Sequence, residues 1–355
     1  MIEDFGWSEP LRHTFAPHAA QGLAPGRVTV HQRGLYTVLT DVGELAGRLS
    51  GRLAGDPGED SHPAVGDWVA LAARPDEGAA TIHAVLPRRT AFVRKAANTN
   101  GTPQVVAANV DVAFLVASMN ADFNPRRLER YLATAWQSGA RPVVVLTKAD
   151  LCDDPDGFLD AAESVAIGAP VLAVSAVTGD GMPALAGQIE ARQTAVLVGS
   201  SGVGKSTLVN ALAGAALMAT AAIREDDARG RHTTTHRELI QLPSGALILD
   251  TPGMRELGLL DADEGVDATF ADIEALAEHC RFRDCGHERE PGCAVRAALA
   301  EGSLDAGRWK SFQKLKRELA MLDRREDPLA REAYRRRWTT VAKANRARSR
   351  ARERW

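Results

Sequence analysis

The chain has no apolar run approaching the roughly 18 residues of a membrane helix, and its opening MIEDFGWSEP has neither the charged n-region nor the apolar h-region of a signal peptide. The expectation is therefore a cytoplasmic protein without membrane contact; a monomer is expected as well. Aromatic residues make up only 5% of the chain, and there are only four cysteines. A secreted disulfide fold spreads an even set of cysteines, whereas here Cys280, Cys285 and Cys293 share one short segment with a histidine, and Cys152 stands alone. What remains is ordinary: 45% hydrophobic residues, 25% charged residues and a net charge of -3. At 355 residues the chain exceeds one typical domain of about 100 to 200, so two or three domains are expected.

The small net charge hides an asymmetry. From Arg308 to Trp355 there are 17 Lys/Arg against 6 Asp/Glu, which leaves the first 307 residues with 26 against 40. A basic tail on an acidic body fits a polyanionic partner, and it fits a solvated helix surface equally well.

Residues 1–26 read as a loosely ordered, Pro/Gly-containing lead-in. From 27 to 95 the signal is short strands (Val28 and Val30, Leu35–Leu39, Gly66–Leu71, Thr81–Val85) separated by turn-rich pieces such as Gly55-Asp56-Pro57-Gly58. About five short strands in that length fit a small closed β-barrel, OB-like or SH3-like. The OB form is the one most used for single-stranded nucleic acid. After a polar linker, Ala96–Gln104, strands alternate with helices. Asp111–Ala117 is an unbroken apolar strand, and Asn124-Pro125 supplies an N-cap and a first-turn proline for a helix carrying Leu128, Tyr131, Leu132 and Trp136. Further strands at Pro142–Leu146, Val171–Val174, Ala195–Val198 and Ala246–Leu249 predict a parallel α/β sheet over 96–260. Residues 261–355 read as helical, interrupted by the Cys/His segment. Trp68 and Trp136 are expected in the core.

Gly199-Ser200-Ser201-Gly202-Val203-Gly204-Lys205-Ser206 satisfies G-x-x-x-x-G-K-[ST], between an apolar strand and a helix that runs on from Thr207. The glycines let backbone N–H groups turn toward phosphate oxygens. Lys205 reaches the β and γ phosphates, and Ser206 offers its hydroxyl to Mg²⁺. Asp250-Thr251-Pro252-Gly253 ends another strand, where Asp250 can hold Mg²⁺ and the Gly253 N–H can meet the γ phosphate. Thr147-Lys148-Ala149-Asp150 also closes an apolar strand. There Asp150 can accept the guanine N1 and N2 protons while the stem of Lys148 covers the base, and the Ser175-Ala176 backbone suits guanine O6. The base-reading stations precede the phosphate loop, the reverse of an ordinary GTPase, so the set is complete only if the chain is circularly permuted.

Cys280, Cys285, His287 and Cys293 follow C-x4-C-x-H-x5-C, four soft or borderline ligands within 14 residues, as in a closed structural zinc site. Arg281, Arg283 and Arg289 lie on the same knuckle. Taken together, barrel, TKAD, SA, GSSGVGKST, GRHTTT, DTPG, the Cys/His knuckle and a helical tail resemble the circularly permuted, ribosome small-subunit-dependent GTPases of the RsgA or YjeQ family. The resemblance implies an N-terminal OB barrel, a permuted P-loop GTPase domain and a C-terminal α-helical zinc-binding domain. It implies GTP hydrolysis stimulated by the small ribosomal subunit, followed by release, in late maturation of that subunit. Its rRNA would be the polyanionic partner, with other assembly factors nearby. One departure stands out: Thr147 replaces the usual asparagine, keeping a hydroxyl for the phosphate loop and losing the amide that reaches guanine N7.

Met254 occupies the place where regulatory GTPases often carry a water-orienting Gln, so slow intrinsic hydrolysis is expected. The catalytic candidates are Lys205, Thr234 closing over Mg²⁺, and His232, which either positions water or faces RNA. A rival reading is an RNA-binding assembly module for which GTP is mainly a structural ligand. A third, a P-loop ATPase or kinase, requires Asp150 to be incidental.

Overall fold

A computed structural model describes residues 1–32, 34–55, 62–95, 103–216, 237–250 and 263–326. The lead-in is not loose. Helix α1 (Glu9–Ala19) opens with Pro10 in its first turn and puts Leu11 and Phe15 one turn apart on its inner side. With Trp7 they form an aromatic cap over Trp68 of the barrel, Trp7 lying 4.9 Å from Trp68 and 5.8 Å from Phe15. Pro17 inside the helix and only two buried positions leave a weak helical period, which is why the sequence hides it.

Five strands then close a barrel: β1 (Ala24–Gln32), β2 (Leu35–Thr40), β3 (Gly43–Leu49), β4 (Trp68–Arg74) and β5 (Ala79–Val85), with the short α2 (Gly51–Ala54) after β3. The order is β1-β2-β3-β5-β4, closed by β1 against β4, and only the β3–β5 pairing is parallel. The parallel β3–β5 pair, together with closure of β1 on β4, decides for the OB form over the SH3-like one. β1 can serve two neighbours because Gly26 lets it bend: a Cβ there would stand 2.5 Å from Val38 and 2.8 Å from Leu71. Trp68 is buried as expected, while Trp136 is only half-buried.

The hairpin β6 (Ala91–Lys95) and β7 (Pro103–Ala108) joins the barrel to the α/β part, so Gln104 lies in a strand rather than a linker. The second body alternates β8 (Val112–Ser118), α3 (Pro125–Ser138), β9 (Arg141–Thr147), α4 (Pro155–Glu163), β10 (Val171–Ala173), α5 (Met182–Ala186), β11 (Thr194–Val198), α6 (Lys205–Ala213), β12 (Arg237–Gln241) and β13 (Leu247–Asp250). Its strand order is β10-β9-β8-β11-β13-β12, parallel except for β12. β11, which feeds the phosphate loop, sits centrally although β8 and β9 precede it in the chain. The apolar residues of β8, β9 and β11 are buried on both faces.

The barrel and this sheet are continuous through β1 and β12, where Val30 pairs with Glu238 and His31 with Arg237. Buried Arg27 pins the junction by donating to Gly66 O (3.3 Å), Asn109 O (3.4 Å), Thr194 Oγ1 (2.7 Å) and Phe5 O. Burial holds its pKa down at about 10.

Four helices finish the described chain: α7 (Asp263–Thr269), α8 (Ala271–Glu278), α9 (Ala294–Glu301) and α10 (Ala306–Glu326). Val266, Phe270, Ile273, Val295, Leu315 and Leu319 form their core, and Ala133 of α3 belongs to it. Gly265 makes that approach possible, since a Cβ there would meet Ala133 O at 2.1 Å.

Candidate functional site: a phosphate loop and a cysteine knuckle

The C-terminal ends of β8, β9, β10, β11 and β13 lie along one edge of the sheet, where ligands bind in open α/β folds. Gly199 leaves β11 pressed against β8, and a Cβ there would stand 2.3 Å from Val116 O. Gly202 and Gly204 have φ of 78° and 94°, a left-handed turn open to glycine at low cost. Gly204 caps α6 without a side chain, so the first-turn N–H groups of Lys205, Ser206 and Thr207 carry the positive end of the helix dipole. The Lys205 ammonium lies across the loop and donates to Gly199 O (2.8 Å) and Ser200 O (2.6 Å).

Thr147 is buried at the end of β9. Its hydroxyl donates to Val203 O at 2.6 Å and approaches Ala117 O at 3.2 Å, joining the end of β9 to the glycine-rich loop after β11. Lys148 takes φ of 62°, which turns the chain so that exposed Asp150 sits in the single turn Ala149–Leu151. The neighbouring loop is held by Ser175, buried, whose Oγ accepts from the Val177 and Thr178 amides (3.3 and 3.1 Å); Ala176 beside it is half-buried. The Ala149 amide donates to Val174 O at 3.3 Å, so the two loops are adjacent. Asp250 ends β13 next to β11, its backbone paired with Glu238. Gly253, His232 and Thr234 lie outside the described residues, as do Met254 and the chain beyond 326. Cys152 is half-buried against the core near this edge.

The knuckle brings its four donors together. The ligand atoms of Cys280, Cys285, His287 and Cys293 all lie within 4.8 Å of one another. Cys280 Sγ is 3.6 Å from His287 Nδ1 and 3.9 Å from Cys293 Sγ, and Nδ1 is 3.3 Å from Cys293 Sγ. Zn–S bonds of about 2.3 Å in a tetrahedron put sulfur atoms about 3.8 Å apart, so the set fits that ion. Local backbone holds it: Glu290 accepts from the Gly286, Glu288 and Arg289 amides, and Cys293 caps α9 by accepting from the Arg296 amide at 3.5 Å. Desolvation pushes the Cys280 thiol up, and hydrogen bonds from the Val295 and Ala294 amides and the Cys293 and Cys285 thiols together more than offset it, leaving its pKa below the ordinary value.

Two residues that matter here escaped the sequence. Arg308, counted above with the basic tail, is buried; it forks onto Asp272 (2.6 and 2.8 Å) and reaches Glu129 of α3 at 3.0 Å. Lys316 likewise pairs with Asp267, so Arg308 and Lys316 serve docking, while Lys310, Lys314 and Arg317 on the same helix are exposed. Glu129 is fully buried, and burial raises its pKa against the pull of Ser311, Arg126 and Arg308. A charge pair 179 residues apart leaves no local signal.

A permuted P-loop nucleotide-binding fold with an OB barrel in front and a Cys₃His metal knuckle behind is thus the class that fold and site define. The RsgA GTPase family model matches residues 85–260. A protein of Opitutus terrae called small ribosomal subunit biogenesis GTPase RsgA is 46% identical over 100% of this chain and 99% of its own. A protein of that name from Streptomyces coelicolor is 46% identical over 95% of this chain and 92% of its own. Among solved structures, YjeQ from Thermotoga maritima superposes with a TM-score of 0.61 at 27% identity, covering 84% of this chain and 98% of that one. YloQ, described as a circularly permuted GTPase, gives 0.58 at 27% identity over 84% and 95%. The chain belongs to the RsgA GTPase family.

Proposed function

We propose that this chain hydrolyses GTP on the small ribosomal subunit during its maturation and leaves the subunit after hydrolysis. Water attacks the γ phosphorus, the β–γ phosphoanhydride bond breaks, and GDP and phosphate are released. The observation that carries this reading is the Thr147–Val203 hydrogen bond, which holds a base-reading loop and a phosphate loop as one nucleotide site in a chain whose full-length relatives are named as subunit-biogenesis GTPases.

In this reading Gly199 to Thr207 cradle the phosphates, Lys205 balances their charge, and Ser206 with Asp250 holds Mg²⁺. Thr147, Lys148, Asp150, Ser175 and Ala176 read guanine, and Gly253, Thr234 and His232 complete the γ-phosphate side. Cys280, Cys285, His287 and Cys293 hold one structural Zn²⁺ that fixes the knuckle. The division into lead-in 1–26, barrel 27–95, GTPase 96–260 and zinc domain 261–355, the rRNA contacts, other assembly factors as neighbours, the monomeric state and a cytoplasmic location belong to the same proposal. Among the described residues no helix is long and apolar enough to cross a membrane.

An Asp150→Asn variant tests the base assignment through competition between nucleotides. The expected result is a preference switched from guanine to xanthine nucleotides. A retained preference for GTP, or ATP competing equally with the unaltered protein, overturns it.

A further inference from the structure

Helix α3 stands between the two sites and presents a different face to each. Glu129 and Tyr131 are two residues apart, so at about 100° per residue they point to nearly opposite sides of the helix. Toward the knuckle module, Glu129 accepts from Arg126 Nη1 (2.6 Å) and Arg308 Nη1 (3.0 Å), and Arg308 holds Asp272. At the next residue, Arg130 forks onto Glu318 at 2.7 and 3.1 Å, and two turns further on Gln137 accepts from the Gly265 amide at 3.0 Å. Toward the nucleotide edge, the Tyr131 hydroxyl lies 3.5 Å from Ser200 Oγ, and the Ser200 carbonyl accepts from Lys205 at 2.6 Å. A chain of polar contacts therefore runs Asp272, Arg308, Glu129, then across the helix to Tyr131, Ser200 and Lys205.

Two physical points give that chain a function. Burying ionic groups at such a junction is costly compared with apolar packing. Arg126 and Arg308 both meet Glu129 Oε1 while Oε2 accepts no hydrogen bond among the described residues, so separating Arg308 from Glu129 leaves a poorly compensated buried carboxylate. On the other face only a recess of about 10 Å³, the size of one water, separates Val116, Asn124, Arg127, Leu128, Tyr131 and Ser200, so a displacement of α3 is passed on to the phosphate loop rather than absorbed. A polar grip on one face and close contact with the phosphate loop on the other make α3 a lever.

We propose that Tyr131 is a positioning residue for the phosphate loop, and that the Glu129–Arg308 pair makes it respond to the pose of the knuckle module. A load on that module then reaches Lys205 through α3, in addition to any route through 251–262. The inference rests on the GTPase reading above.

The test is a double-mutant cycle on the full-length, zinc-loaded chain, measuring GTP turnover alone and with purified small subunits. Glu129→Gln preserves shape and leaves Arg308 paired with Asp272. It is expected to keep basal kcat within about twofold and lower subunit-stimulated kcat about tenfold at unchanged KM, a coupling within the usual range. In a Tyr131→Phe background the same substitution should change stimulated kcat less than about twofold, because the path is already cut. Equal losses in both backgrounds, a proportional loss of basal activity, or intact stimulation overturns the proposal.

Zinc content and the melting midpoint separate uncoupling from unfolding. Should Glu129→Gln lose its metal, Arg308→Lys decides: it keeps the charge without the fork, and a partial loss of stimulation supports the path while full stimulation refutes it. Wild-type protein that small subunits do not stimulate at all removes the GTPase reading itself, a different outcome from wild-type stimulation that survives Glu129→Gln.

Discussion

The nucleotide edge and the knuckle are both built from short motifs, yet they are held in opposite ways. The knuckle closes on itself: four donors within 14 residues, with Glu290 and the α9 amides completing the loop. The nucleotide edge collects residues from strand ends between Ser118 and Asp250, and only the sheet register brings them together. A local site depends on its ion, whereas a dispersed site depends on the fold.

Removing the metal is the hardest break. Chelation, or Cys293→Ala, removes a binding energy of order 10 kcal/mol from a module whose core includes Cys293, Cys280 and Cys285. Circular dichroism is expected to show loss of the α8–α10 helices while GDP binding persists; loss of nucleotide binding in parallel would erase the contrast. At the sheet side, Gly66→Ala forces a side chain into φ of 93° with its Cβ 2.1 Å from Ala108 O. A loss of roughly 3 kcal/mol is expected in denaturant titration, and metal content should be unaffected.

Thr147→Val deletes the hydroxyl that joins β9 to the phosphate loop. The expected cost is about 1 kcal/mol, read as a roughly fivefold weaker GDP Kd with unchanged metal content. Smallest is Glu318→Gln. The hydrogen bond from Arg130 holds the Glu318 carboxyl below its ordinary 4.5, so the contribution is present above that value and lost as pH falls through the lower folded pKa. A half-exposed pair predicts about 0.5 kcal/mol at pH 7 and no difference from wild type in strong acid.

The same contrast explains what was legible in the sequence. Glycine turns, apolar strands and ligand spacing are local, so β8, β9, β11, the phosphate loop and the knuckle could be read directly. Helix α1 was missed because its burial depends on Trp68, and β3 because Gly43–Leu49 alternates weakly between small and charged residues. The choice of an OB barrel needed the β3–β5 pairing, which no spacing encodes. Arg308 read as tail charge because its partners, Glu129 and Asp272, lie 179 and 36 residues away.

The central claim is that this nucleotide site is an engine answering to the small subunit. GTP turnover by the zinc-loaded protein, alone and with purified small ribosomal subunits, tests it most directly, with Lys205→Ala as control. The account predicts slow basal turnover, a rise of at least about tenfold with small subunits but not with large subunits or free RNA, and its loss in the control. Turnover that small subunits leave unchanged would contradict it and make GTP a structural ligand of an RNA-binding protein.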